Sequence, residues 1–280
     1  MSPIFGRRDG GGRRSGLGGW GGRLVIAAIL AGIALFTYYR NSSVNPVTGR
    51  KQHIAMSVPD EIALGMQAAP EMARQFGGEH PDQEAQNLVD RIGAKLAGEI
   101  PTASATYPFY FYVLADSETV NAFALPGGQV FITAALLNRL ETEGQLAGVI
   151  GHEIGHVVAR HSAEQMAKAQ LTQGLAGAAG VAAGDMSSAQ MAQVVGQFIN
   201  MRYGREHELE SDRLAVRYMA KAGYDPRAMI RVMEILAEAS GGSGQPEFAS
   251  THPSSENRIQ KIREAIEEEF PGGVPGGLVP

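Results

Sequence analysis

One short segment, Gly151-His152-Glu153-Ile154-Gly155-His156, carries residue types and a spacing suited to metal-assisted hydrolysis. On an α-helix, His152 and His156 share a face and lie one turn apart. Two neutral imidazoles so placed can hold one divalent cation. Glu153 follows the first imidazole and points beside the cation, where it can take a proton from a water held there. The alternative is a pair of histidines decorating a buried helix. Such a helix rarely carries His-Glu-x-x-His without a group to satisfy it. A further ligand is therefore expected downstream.

The segment from Tyr203 to Arg213 is the place to look. Glu208 and Asp212 stand at i, i+4 and share a helix face, and so do Glu206 and Glu210. Either pair offers one metal ligand and one carboxylate to orient a ligand histidine. Spacing favours neither pair over the other, and a solvated acidic face fits the same residues. His207 cannot share a face with Glu208. If the His-Glu-x-x-His helix runs on to about Gln170, His161 is half a turn out of phase with His152 and faces away from the metal. The longer three-histidine pattern fails, because Ala159 and Ser162 stand where Gly and His are required. His252 reads as a loop histidine beside Pro253, Arg258 as a salt-bridge partner and Tyr203 as a packed tyrosine. His53 and His80 receive no role.

Certain elements must position these groups. Thr142 and Gln145 read as a capping box, followed by Leu146, Val149, Ile150, Ile154, Val157 and Val158 at helical spacing. Residues 1–23 are rich in Gly and Arg and have little to pack. Residues 24–39 form an apolar run, preceded by Trp20 and tapering into Tyr38 and Tyr39, that reads as a transmembrane anchor. Arg7, Arg8, Arg13, Arg14 and Arg23 precede it, which keeps the N-terminus in the cytoplasm and puts the rest outside. A cleaved signal peptide is the rival, but no small-x-small site follows Phe36.

Residues 40–58 read as a linker and 59–270 as the globular body. Pro59-Asp60-Glu61 opens a helix that Pro70 should interrupt or kink, and a second helix spans about 82–98. Residues 109–114, 119–125 and 129–133 read as strands of a small antiparallel sheet, with Pro126-Gly127-Gly128 as a turn. A short helix over 134–140 precedes the metal helix. The small apolar residues of 171–184 suit a closely packed helix or loop, or else a mobile lid or a surface touching the bilayer near the metal cleft. Ser187 and Ser188 should cap a helix, Asp225-Pro226 should start another, and Ser255-Glu256 the last. Residues 241–246 read as a linker and 271–280 as a flexible tail. The fold class is α+β, mostly helical.

Composition removes several alternatives. The chain has no cysteine, so disulfides, thiolate ligands and a cysteine nucleophile are excluded. A net charge of -5, with no long basic patch in the body, gives no reason to expect nucleic acid.

His152-Glu153-x-x-His156 with Glu208-x-x-x-Asp212 resembles the gluzincin metallopeptidases that include the CAAX prenyl protease, the HtpX heat-shock protease and the mitochondrial Oma protease. The likeness is strongest to their bacterial periplasmic branch with a soluble peptidase domain. Asn45-Pro46-Val47-Thr48-Gly49, the run from Asn121 to Gly128, and Thr251-His252-Pro253-Ser254 resemble further signatures in the same order, covering roughly residues 45 to 265. The resemblance implies one zinc ion on His152, His156 and Glu208, with Asp212 orienting a ligand. It implies Glu153 as the base and brings His252 to the site, as oxyanion donor or as occupant of the open metal position. The strand carrying Asn121, Ala122 and Phe123 would pair with substrate backbone. The implied activity is a membrane-anchored endopeptidase acting on unfolded or misassembled envelope proteins.

The chain departs from multi-span relatives in offering one apolar span, and from periplasmic relatives in lacking a lipobox cysteine and a helical-repeat domain. A chaperone using the same cleft is the alternative function. A purely structural zinc is disfavoured by Glu153 and by three obvious ligands where such sites use four. Cleavage specificity and oligomeric state leave no mark in the sequence.

Overall fold

A computed structural model describes residues 20–101, 107–183, 203–240, 248, 252 and 257–280. The helix expected after Ser187 and Ser188, the 241–246 linker and the Ser255-Glu256 helix start lie outside them. The fold is α+β. Its elements are α1 (Trp20–Arg40), β1 (Ser42–Val44), β2 (Lys51–His53), α2 (Val58–Gln75), α3 (Gln83–Ala97), β3 (Tyr110–Leu114), β4 (Ala122–Ala124), β5 (Gln129–Thr133), α4 (Ala134–Leu137), α5 (Glu143–Val158), α6 (His161–Ala183), α7 (Arg205–Lys221), α8 (Ala228–Ser240) and α9 (Arg258–Glu269).

The three-stranded sheet has the order β3-β5-β4. It is mixed rather than antiparallel: β4 pairs antiparallel with β5, but β3 pairs parallel to it. β5 takes the centre because the tight turn after Leu125 folds it back beside β4, leaving β3 only its other edge. Gly127 and Gly128 supply that turn at φ 93° and 106°. Alternation sends Phe111, Val113, Val130 and Ile132 into the main core with α3 and α5. Leu114, Leu125 and Phe131 go to the other face, under Met72 of α2 and Phe76 at its C-cap. α2 runs unbroken through Pro70, which is exposed. The carbonyl its ring displaces, on Met66, lies on the solvent side where water can take it.

α5 is the buried axis, packed on the sheet, α3, α7 and α8. Thr142 caps it, accepting from Gln145 N, while the Gln145 side chain accepts from Glu141 N, one residue before the capping-box partner. α7 comes close because α5 presents glycine: a Cβ at Gly155 would stand 2.9 Å from Ser211 Cα.

Three expectations are corrected. The metal helix does not continue to Gln170; it ends at Val158, and α6 starts at His161. Between them Arg160 takes φ 59°, held by hydrogen bonds to Glu61 and the Met56 carbonyl. The 40–58 segment is more than a linker. Its β1–β2 hairpin docks on the end of α5, where Asn45 donates to the Val158 carbonyl at 3.0 Å and Gln52 to the Ala159 carbonyl at 2.6 Å. These are carbonyls that a helix end leaves unpaired. The 271–280 tail is pinned: Gly144 N donates to the Pro280 carbonyl at 2.7 Å, and Val279 bonds Gly223 and Asp225.

α1 is long and apolar enough to cross a membrane and has no buried residue. It packs along α6, where a Cβ at Gly174 would come within 2.9 Å of Ala34. The 171–184 segment is therefore helical as far as Ala183.

Candidate metal centre

α5 places His152 and His156 on one face, and their Nε2 atoms are 3.0 Å apart. α7 brings Glu208 against both, with carboxylate oxygens 3.5 Å from His152 Nε2 and 3.4 Å from His156 Nε2. His252 completes the group: its Nδ1 lies 3.3 Å from His152 Nε2 and 3.1 Å from Glu208 Oε1. All four are buried, and their donor atoms fall within 4.8 Å of one another.

The donor set fits a small divalent cation. Nitrogen and oxygen donors on a tetrahedral zinc at ordinary bond lengths stand about 3.3 Å apart; five contacts in the group, taken to the nearer Glu208 oxygen, lie between 3.0 and 3.5 Å, and the whole group spans no more than 4.8 Å. The electrostatics agree. Burial holds His156 well below the usual imidazole range, so its lone pair is free to bind. Burial works against charge on Glu208, but His252, His152 and His156 outweigh it and keep the carboxylate ionised. Burial also opposes charge on His152, yet Asp212 and Glu208 lift it to about 9, so a cation must displace a proton there.

Glu153 lies beside the cluster, its Oε1 3.6 Å from His252 Nε2. Burial pushes its pKa up. Both of its buried oxygens lack a hydrogen-bond partner among the described residues, as does His252 Nε2. Unpartnered buried polar atoms are costly, and here two of them, Glu153 Oε1 and His252 Nε2, stand 3.6 Å apart beside the donor group.

Asp212, one turn beyond Glu208, stands 2.8 Å from His152 Nδ1. Arg258 of α9 donates to both Asp212 oxygens at 2.7 and 2.9 Å, and its Nη1 is 3.0 Å from Glu208 Oε2. Burial opposes ionisation of Asp212, but Arg258 and His152 hold it below its ordinary value. The reading of Arg258 as a salt-bridge partner holds; its fully buried place beside the cluster leaves no mark in spacing.

Two expectations about neighbouring groups fare differently. Tyr203 is packed as expected, its ring 4.0 Å from that of His156 and its hydroxyl 2.8 Å from Ser162 Oγ. His161, expected to face away, lies with Nδ1 3.0 Å from His156 Nδ1, because the chain turns at Arg160. Glu206 and Glu210 supply no member of the four-donor group, though Glu210 bonds His161 at 2.8 Å.

The strand carrying Asn121, Ala122 and Phe123 forms the sheet edge beside α5. Asn121, Phe123 and Leu125 face β5 through their backbone groups, with Thr133 N donating to Asn121 O and Leu125 N to Gln129 O. The backbone groups of Ala122 and Ala124 therefore turn away from β5.

The model of peptidase family M48 matches residues 83–266. The beta-barrel assembly-enhancing protease of Escherichia coli is 31% identical over 260 residues, covering 88% of this chain and 52% of that protein. The mitochondrial metalloendopeptidase OMA1 of Schizosaccharomyces pombe is 30% identical over 249 residues, covering 87% of this chain and 72% of that protein. The Saccharomyces cerevisiae protein of the same name is 30% identical over 258 residues, with 86% and 73% covered. The chain thus spans about half the length of the assembly-enhancing proteases it matches.

Proposed function

The chain belongs to peptidase family M48, and on that premise we propose that it is a membrane-tethered zinc endopeptidase acting on unfolded or misassembled envelope proteins. The observation that carries the reading is a buried carboxylate, Glu153, with two oxygens unpartnered among the described residues, beside a buried cluster of four metal-type donors within 4.8 Å of one another. Imidazole and carboxylate donors suit zinc. Bound there by His152, His156 and Glu208, zinc would supply Lewis acidity and lower the pKa of a water to about 7.

The chain's own groups do the rest. Glu153 takes the proton of the attacking water and passes it to the leaving amine, a role that its burial-raised pKa suits. Asp212 fixes His152 by accepting from Nδ1–H, leaving Nε2 as the donor to metal. His252 would be a further donor to the ion at rest, and on moving aside would make room for a substrate carbonyl and donate to the developing oxyanion. Ala122 and Ala124 would present the backbone groups that turn away from β5 to an extended peptide once the packing that buries Ala122 opens, which gives sequence-tolerant binding. Four donors are also the count of a structural site, but a structural site has no use for an unpartnered Glu153.

Orientation follows from the arginines before α1: N-terminus cytoplasmic, catalytic body periplasmic. The chain has no native cysteine, so Glu268→Cys, an exposed position, reports sidedness. Labelling by an impermeant maleimide in spheroplasts supports the reading, and labelling only after lysis sinks it.

The central test is cleavage of an unfolded protein by the zinc-loaded full chain in detergent. Glu153→Gln at equal metal content should fall by at least about a hundredfold. Ala122→Pro and Ala124→Pro should lose peptide cleavage while retaining zinc; full activity in both removes the strand from the reading. A zinc-loaded parent that binds unfolded protein without cutting it would instead favour a client-holding chaperone. Equal cleavage by parent and Glu153→Gln would refute Glu153 as the base.

A further inference from the structure

His161 is fully buried, outside the donor group, and in contact with it. Its Nε2 lies 2.8 Å from Glu210 Oε2. An ionised carboxylate only accepts, so Nε2 carries the proton and Nδ1 is left as an acceptor. That Nδ1 faces His156 Nδ1 at 3.0 Å. Two lone pairs do not bond across such a contact, so His156 must donate from Nδ1. Ser211 Oγ, at 3.4 Å, is the longer competitor for the same lone pair. With its proton on Nδ1, His156 has a bare Nε2, and this is the atom that meets His152 and Glu208.

The contacts continue outward. Glu210 Oε2 also accepts from Arg50 Nε at 3.1 Å, and Arg50 binds Glu164 as well. Arg50 belongs to the hairpin that follows α1 and docks on the end of α5.

We infer that His161 and Glu210, backed by Arg50, form an imidazole–carboxylate–guanidinium relay that sets the tautomer and ring orientation of His156 and makes the hairpin after the membrane helix part of the metal site. His161 is a positioning residue in this scheme. The inference rests on the metal-centre reading, and the test separates the two.

Zinc affinity of the full chain in detergent is measured by competition with a chromogenic chelator, and ligand geometry by the visible spectrum of the cobalt-substituted protein. His161→Ala should weaken zinc binding roughly ten- to hundredfold and alter the cobalt bands. His161→Asn keeps an oxygen that accepts from His156 and should recover most of that loss and the parent spectrum. Glu210→Ala should fall between them. Parent-like affinity and spectrum in His161→Ala overturn the relay. So does a loss in His161→Ala that His161→Asn leaves unrepaired while both melt like the parent in EDTA, since restoring the acceptor would then do nothing for the metal site. Should His161→Ala not fold, His161→Asn and Glu210→Ala carry the same test. A parent that binds no zinc removes the metal-centre reading itself.

Discussion

The two histidines of α5 enter one cluster, yet they are held from opposite ends of the chain. His152 leans on a single carboxylate, Asp212, clamped twice by Arg258 of the C-terminal helix α9. His156 leans on another imidazole, then Glu210, then Arg50 of the N-terminal hairpin. The first arrangement is short and dry, with the Asp212 and Arg258 side chains each 2% exposed. The second is longer and reaches water, with Arg50 31% exposed. One side is a closed unit fixed by the packing of α5, α7 and α9. The other passes through the α5–α6 junction and ends in the hairpin that follows the apolar helix α1, so its strength depends on local backbone geometry and on the medium.

The sharpest way to break the comparison is to remove its strong side. Asp212→Ala leaves Arg258 short of its main partner in a buried site, at a cost of about 3–5 kcal/mol. It also frees the His152 ring, which should weaken zinc binding by at least about tenfold. Thermal melting in EDTA reads the first effect and chelator competition the second. An unchanged melting midpoint would mean that the buried pair contributes nothing to the fold.

The strong side was also the legible side. His152, His156, Glu208 and Asp212 lie on two straight helices, where i, i+4 spacing maps directly onto one face. Spacing left Glu208/Asp212 and Glu206/Glu210 level, and only the family resemblance separated them. Both pairs turn out to hold histidines, one from each side. The weak side was illegible for a specific reason. A helix extended through Arg160 turns His161 away, and the break at Arg160 is held by Glu61, 99 residues earlier in sequence, through a part-buried ion pair. The hairpin was hidden in the same way, because Asn45 and Gln52 read as loop residues until the carbonyls they satisfy are seen. The pinned tail is a third instance, its Pro280 carbonyl meeting an amide in the first turn of α5.

The junction supplies an intermediate effect. Arg160→Ala keeps a Cβ in the left-handed region and strips Glu61 of its cation, at about 3 kcal/mol. Arg160→Gly loses the same ion pair but relieves the backbone, and should be more stable than Arg160→Ala by about 1 kcal/mol. Urea midpoints of the two variants decide the matter. Equal midpoints would mean that the positive φ carries no strain and that the ion pair alone holds the turn.

The smallest effect should come from the outermost group. Arg50→Ala leaves Glu210 its bond to His161, and leaves Glu164 its contacts with Lys168 and His207. Arg50 is about one-third exposed, so water and salt already screen it, and a loss of roughly threefold in zinc affinity is the scale such a pair supports. Its salt dependence distinguishes it from Asp212. Raising ionic strength from about 0.1 M to 1 M shortens the screening length from roughly 10 Å to 3 Å, which should narrow the gap between parent and Arg50→Ala. The Asp212→Ala deficit arises where ions do not penetrate and should persist. If both gaps closed together, or neither did, the two histidines would be held by the same kind of interaction, and the contrast between a dry clamp and a solvent-linked relay would fail.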